Sequence, residues 1–480
     1  MVNNGSQRSQ PSSSPTVERR IGIVGAGFTG ALLAVHLIRH CRTPTRILLF
    51  DRTGRFGPGL AYRTEDRGHL LNVRAANMSA FPDQPDHFRR WLDPFDPSPG
   101  AAGQAFATRG QYGRYLQDVL ETARREAPPF IHFEPVAAEI TDLEPAAAGH
   151  CLIAADGTRH PVDEAVLCLG NFPPRPPAIL RPGFYDDPAH FVSNPWDTAA
   201  IEAIAPDRPV LILGSGLTMV DVVMTLARRG HRAPLTVLSR HGLLPTVHQS
   251  APPWPDFIAG KSLPATVSAR LALVRAEVRR AARRGIDWRS VIDSLRPHLP
   301  ALWRSLSRAE QRRFLRRLRP YWDVHRHRMA PEIAAAIDRL LIQNRLTLVT
   351  GRLLDLERRD GTTLATVRPR GGAQPVTLTT DVVINATGLA TDILQVPDAL
   401  IRALLARGLV RPDPLAIGLD VSDEGALIDQ AGQPVPGLHA LGPLTRGAWW
   451  EITAVPELRN QAAQFAGQLA GPPPPSSPGG

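Results

Sequence analysis

The sequence has almost no lysine. Of 55 lysine and arginine side chains in 480 residues, Lys261 is the single amine. Schiff-base chemistry, which needs a lysine nitrogen, is therefore not expected. The formal net charge of +10 is carried by arginine, a skew that a GC-rich genome explains without a partner. Cysteine is scarce too. Cys41, Cys151 and Cys168 stand far apart, with no CxxC or CxxxxC pair. That excludes a local redox disulfide and leaves no zinc-ligand spacing, so no metal is expected. No apolar run reaches the length of a membrane span. The polar stretch to about Thr16 lacks the apolar core of a secretory signal. A cytoplasmic protein is expected, with disordered tails at 1–19 and 471–480, the latter rich in Pro, Gly and Ser.

What is present begins at Ile21. A β-branched run, Ile21 to Val24, leads into Gly25-Ala26-Gly27-Phe28-Thr29-Gly30 and an apolar helical stretch to Ile38. Gly25 allows the tight strand-to-helix turn, Gly27 lets a pyrophosphate approach the backbone, and Gly30 lets helix and strand pack closely. The helix N-terminus offers unpaired N–H groups to the phosphates. A second strand, Arg46 to Phe50, ends at Asp51, about 20 residues on, where an acid takes the adenosine ribose hydroxyls.

The pattern recurs. Val210 to Leu213 is a strand, Gly214-Ser215-Gly216-Leu217-Thr218-Met219 the turn and Val220 to Arg229 the helix, with Met219 in place of the third glycine. The next strand, Leu235 to Leu238, ends at Ser239-Arg240-His241 without an acid. A cation here suits the 2′-phosphate of NADPH, so NADPH is expected over NADH. Two further strands stop at glycine, Ala165 to Gly170 and Asp381 to Gly388. Between Arg270 and Arg345 the pattern is helical, with nineteen arginines against seven acids. It reads as a solvated insertion, with an acidic protein partner as the alternative. Neither nucleic acid nor membrane is expected as a partner, because no RNA-binding signature accompanies the charge.

The order of these features, closed by Gly437 to Gly442 and a helix from about Val455, resembles the two-dinucleotide-binding-domain flavoproteins. The resemblance implies an α/β fold with two Rossmann-like domains, for FAD and NAD(P)H, and a basic helical insertion. Expected boundaries are 20–205 for the first part of the FAD domain, 206–379 for the NAD(P)H domain with its insertion at about 262–345, and 380–470 for the return to the FAD domain. Asn72 with Met78-Ser79-Ala80-Phe81-Pro82-Asp83 is similar to a segment of flavin-containing monooxygenases. Gly57 to Tyr62, the Asn72 region and Trp450 to Arg459 look like the bacterial family containing FAD-dependent urate hydroxylase and nitrosuccinate-forming L-aspartate N-monooxygenase.

The resemblance implies hydride transfer from NADPH to flavin and delivery of one oxygen atom from O2, through a C4a-(hydro)peroxyflavin, to a small polar substrate, nitrogen compounds included. Asn72 is the implied catalytic residue. The candidate cofactor residues are Gly25, Ala26, Gly27, Phe28, Thr29, Gly30, Asp51, Gly170, Gly214, Ser215, Gly216, Leu217, Thr218, Ser239, Arg240, Gly388, Gly442 and Thr453. Arg74 and Arg109 are candidates for a substrate carboxylate or cofactor phosphates, and Trp449, Trp450 and Glu451 for the flavin edge. Two alternatives stay open: a reductase or oxidase without oxygen insertion, and a non-enzymatic flavin sensor.

Overall fold

The computed structural model describes residues 18–95, 105–372 and 374–471. The two expected tails lie almost wholly outside them. Two parallel-cored sheets organise the chain. In the first, the order across the sheet is Ala426–Ile428, Pro434–Ala440, Glu164–Leu167, Arg19–Val24, Thr45–Phe50 and Ile131–Val136. All neighbours are parallel except the edge strand Ala426–Ile428. Its central strands are apolar at nearly every position because both faces are covered. Helices Phe28–His40, Arg109–Arg125 and Val455–Ala470 pack on one face, and a three-stranded antiparallel sheet covers the other with Leu143, Leu152 and Val162.

The second sheet runs Val376–Thr380, Thr362–Pro369, Leu346–Arg359, Leu235–Ser239, Val210–Leu213, Val382–Asn385 and Phe191–Val192. Two strands therefore lie across the expected boundaries. Val382–Asn385 pairs with Val210–Leu213 and not with the first sheet, and Phe191–Val192 pairs with Val382–Asn385. The expected start of the return at 380 and of the second domain at 206 are corrected accordingly. A buried strand that stops at glycine looks the same whichever sheet receives it, so the sequence pattern does not choose. Leu346–Arg359 forms one 14-residue strand. Its first half pairs in parallel with Leu235–Ser239, and its second half turns antiparallel through a bulge between Leu353 and Asp355.

The insertion is also shorter than expected. Helix Pro331–Ile342 buries Ile333, Ala334, Ile337 and Leu340 in the core of the second unit. The remaining helices, from Val267–Ala282 to Arg319–Arg326, close on their own core around Trp254, Phe257, Val291, Leu295 and Leu299. They also reach the return segment, where Trp303 stacks on Trp450 at 5.0 Å between ring centres. No helix among the described residues is long and apolar enough to cross a membrane.

One core group gives the fold an acid sensitivity. His36, 2% exposed in the helix that follows the first glycine turn, is held from the ordinary 6.5 down to about 4, first by burial and then by Arg39. The unfolded chain therefore binds this proton at higher pH than the folded one, and stability falls as pH drops from about 6.5 towards 4. At about 1.4 kcal/mol per pKa unit, roughly 2 kcal/mol is lost between pH 7 and pH 5. A His36→Leu protein is expected to lose about that much less stability over this interval, measured by urea unfolding. Equal losses in the two proteins would contradict the assignment.

Candidate active site

The first cradle follows from three glycine positions. At Gly25, φ is +103°, and a Cβ would stand 2.4 Å from the Cys168 carbonyl oxygen. At Gly30 it would stand 2.0 Å from the Gly25 carbonyl. Neither position admits a side chain. At Gly27 the nearest heavy atom to a Cβ is Gly59 Cα at 3.5 Å, an ordinary contact. Helix Phe28–His40 starts at Gly27 with no side-chain cap and no acid in its first turn, which leaves its N–H groups for an anion. The opposite wall is Gly57–Gly59, a segment that reads as a plain loop in sequence. Gly57 N donates to Ala26 O at 2.8 Å. Asp51 accepts from Thr53 N at 2.8 Å and Thr53 Oγ1 at 2.6 Å, both on Oδ1. Its Oδ2 is engaged by no described residue.

The second cradle repeats the first. Gly214 has φ +104° and backs onto the Ala386 carbonyl. Gly216 has nothing within 4 Å of a Cβ, and helix Leu217–Arg228 starts there without a side-chain cap or a first-turn acid. Met219, in the third-glycine position, is fully buried. Ser215 Oγ donates to Leu243 O at 2.6 Å, and Ser239 Oγ accepts from Gly242 N at 3.0 Å. Arg240 is exposed and has no carboxylate within 4.0 Å among the described residues.

Both cradles open into one cavity of about 1490 Å³, larger than the usual site for a single small ligand. Gly25, Gly27, Phe28, Thr29, Asp51, Asn72, Gly170, Gly214, Ser215, Gly216, Leu217, Thr218, Ser239, Arg240, Gly388 and Thr453 line it together. Ala26, Gly30 and Gly442 lie behind that wall, Gly442 against Thr29. A third uncapped N-terminus, that of helix Val455–Ala470, faces the same space through Thr453, Ala454 and Val455. Asn72 presents a side-chain amide that bonds to no described residue, while its backbone carbonyl accepts from His248 Nε2 at 2.9 Å.

The two arginines considered for a ligand have protein partners. Arg109 Nη2 lies 2.8 Å from Asp221 Oδ2, a pair less than one-fifth exposed, and ties the first unit to helix Leu217–Arg228 of the second. Arg74 Nη2 donates to Ser250 Oγ at 3.0 Å. Trp449 packs against the core of the first unit, whereas Trp450 and Glu451 line the cavity. Glu451 is buried with φ +72°, a conformation that non-glycine residues hold only when their surroundings impose it. Trp322 Nε1 donates to its Oε1 at 2.8 Å. Arg326 lies 3.5 Å and His327 3.6 Å from its carboxylate. Burial alone would raise this carboxyl, but His327, Arg326 and Trp322 outweigh it and hold the group at about 2.

Sequence reasoning missed the contribution of the insertion. Its inner face sends Arg319, Asp323 and His327 into the cavity, opposite Arg446 of the return segment. The signal was Trp322 within an arginine-rich run: it packs against the core of the insertion and so marks the inner face. Asp323, His327 and Glu451 bring donor atoms within 4.8 Å of one another. Arg319 and Arg326 already supply positive charge to those carboxylates.

Residues 22–172 match a family model described as FAD-NAD(P)-binding. An uncharacterised protein of Mycobacterium tuberculosis is 21% identical over 494 aligned residues, covering 88% of this chain and 89% of its own. The ornithine N-hydroxylase of Kutzneria sp. 744 superposes with a TM-score of 0.61 at 16% identity, over 94% of this chain and 99% of that one. The L-lysine 6-monooxygenase of Pseudomonas syringae does so with a TM-score of 0.62 at 15% identity, over 94% and 97%. The fold is thus the two-dinucleotide-binding flavoprotein fold.

Proposed function

We propose that the protein is an FAD- and NADPH-dependent monooxygenase acting on a small polar substrate, with nitrogen compounds, as in the similar hydroxylases, among the candidates. The observation that carries this reading is the convergence of three uncapped helix N-termini and a charged, partly buried chamber on one cavity. FAD, when bound, supplies the redox and oxygen chemistry. The protein supplies the rest. Gly25, Gly27 and Gly30 with the first helix N-terminus receive the FAD pyrophosphate, and Asp51 receives the adenosine ribose. Gly214 and Gly216 receive the nicotinamide nucleotide, and Arg240 with Ser239 its 2′-phosphate. The N-terminus of Val455–Ala470 offers positive potential where negative charge develops. The Asn72 amide offers hydrogen bonds inside the cavity. Helix Arg319–Arg326 and Trp450 exclude water from the far end. Arg308, Arg312, Arg313 and Arg317 are exposed and off the cavity wall, as are Arg275, Arg279 and Arg280 of helix Val267–Ala282, and these outward faces keep the reading of a surface for an acidic partner.

A reductase working through a cysteine is the main rival. All three cysteines are buried and free. Burial pushes the Cys41 and Cys168 thiols up, away from the thiolate form that redox exchange requires. A triple Cys→Ser protein is expected to keep NADPH-driven flavin reduction within about threefold of wild type, a change of less than about 1 kcal/mol. A folded, FAD-loaded triple variant with no such reduction would restore the reductase reading.

A further inference from the structure

The chamber between helix Arg319–Arg326 and the return segment is not electrically balanced. Arg446 is 9% exposed and lines the cavity. It meets no carboxylate within 4.0 Å among the described residues. Its one side-chain hydrogen bond is to a neutral acceptor, Asn171 Oδ1, at 3.3 Å. Arg319 faces the same space, 3.4 Å from Asp323, with its guanidinium 5.8 Å from the centre of the Trp450 ring. Glu451 is shared by Arg326, His327 and Trp322. Arg296 and Glu457 form a neutral pair beside them, bonded through Nε at 2.5 Å and Nη2 at 2.9 Å. Arg319, Arg326 and Arg446 therefore stand against Asp323 and Glu451, an excess of positive charge, with Arg316 on the same cavity wall.

A buried guanidinium without a counter-charge is costly. Burial, with Arg319 nearby, brings Arg446 down to about 10. The planar fork of arginine matches a carboxylate in two-point contact. The phosphates of both dinucleotides have their own seats at the two glycine turns, so neither calls on Arg446.

We propose that Arg446 seats the anionic group of the substrate, so that the molecule bound beside the flavin is a small organic anion of net negative charge. The lysine and ornithine of the similar solved enzymes carry the opposite net charge. That the anion is then oxidised rests on the monooxygenase reading. Its sign rests on the geometry alone.

The test uses FAD-loaded protein at constant ionic strength, titrated with sodium acetate, benzoate and malonate and with L-lysine. The readouts are flavin absorbance and flavin fluorescence. At least one of the three anions is expected to give a saturable change, and L-lysine none. Arg446→Met is expected to keep its FAD and to bind that anion at least about tenfold more weakly, a difference of about 1.4 kcal/mol. Arg446→Lys is expected to recover part of the loss, and Arg317→Met, an exposed site, to bind as wild type. If Arg446→Met does not fold, Arg319→Met carries the same expectation. The proposal is overturned if none of the anions saturates, if L-lysine binds more tightly, or if the variant binds the anion unchanged. Loss of FAD from a folded Arg446→Met protein also overturns it, because the arginine would then serve the cofactor. NADPH reduction and reoxidation by oxygen are followed on the same samples. Anion binding through Arg446 with prompt, fully peroxide-yielding reoxidation would keep the site and remove the monooxygenase reading.

Discussion

A Gly27→Val protein is expected to fold and to purify without flavin. The backbone at Gly27 has φ −71° and ψ −167°, extended values open to any residue. A Cβ there meets Gly59 Cα at 3.5 Å, an ordinary contact, so the fold has no reason to fail. The added side chain instead occupies the approach to the uncapped N-terminus of helix Phe28–His40. Each charge-assisted hydrogen bond lost to the pyrophosphate is worth about 1.5–3 kcal/mol. Two such bonds amount to a loss of about a hundredfold or more in FAD affinity. The flavin-to-protein absorbance ratio and the circular dichroism spectrum read the two parts separately. Gly30→Val makes the contrast. Its Cβ would lie 2.0 Å from the Gly25 carbonyl, so the helix must leave the strand and stability itself is expected to collapse. A yellow Gly27→Val protein with wild-type FAD affinity would remove the cofactor from this cradle.

The second large effect is expected at Arg240. It follows strand Leu235–Ser239, lines the cavity beyond the second glycine turn, and has no carboxylate partner among the described residues. An acid in its place would repel a 2′-phosphate; a guanidinium forms one or two charge-assisted bonds to it. Wild type is expected to prefer NADPH over NADH by about ten- to a hundredfold, and Arg240→Ala to lose most of that preference through weaker NADPH binding. Anaerobic flavin reduction across a concentration series of each nucleotide measures it. Equal use of NADH by wild type, or an undiminished preference in the variant, would assign the 2′-phosphate elsewhere.

The two glycine turns were legible because their geometry is local. A strand, three residue types at fixed offsets and a helix determine a cradle within about thirty residues. The acid at Asp51 and the cation at Arg240 were legible for the same reason, since each follows the strand after its turn. What the sequence hid depends on distant partners. Val382–Asn385 carries the same apolar-then-glycine pattern as Glu164–Leu167, and only its pairing with Val210–Leu213 assigns it to the second sheet. Arg109 reads as a free cation until Asp221, far along the chain, arrives at 2.8 Å. Arg319 and Arg446 are two among many arginines in sequence. Nothing but the packing of the insertion against the return segment, through Trp303 and Trp450, separates them from solvated neighbours such as Arg312 and Arg317. The inner and outer faces of that insertion have one composition and two roles, which a charge count cannot resolve.

The central claim is that this cavity protects reduced flavin while it reacts with oxygen. The direct measurement is single-turnover stopped flow: FAD-loaded protein is reduced anaerobically with one equivalent of NADPH and then mixed with oxygenated buffer. The account predicts full reduction by NADPH. It then predicts a long-lived spectrum belonging to neither reduced nor oxidised flavin, with peroxide released only as that spectrum decays, and an Asn72→Ala protein in which the decay is at least about tenfold faster, a barrier change of about 1.4 kcal/mol. Prompt return of oxidised flavin with stoichiometric peroxide, the same in wild type and variant, would contradict it.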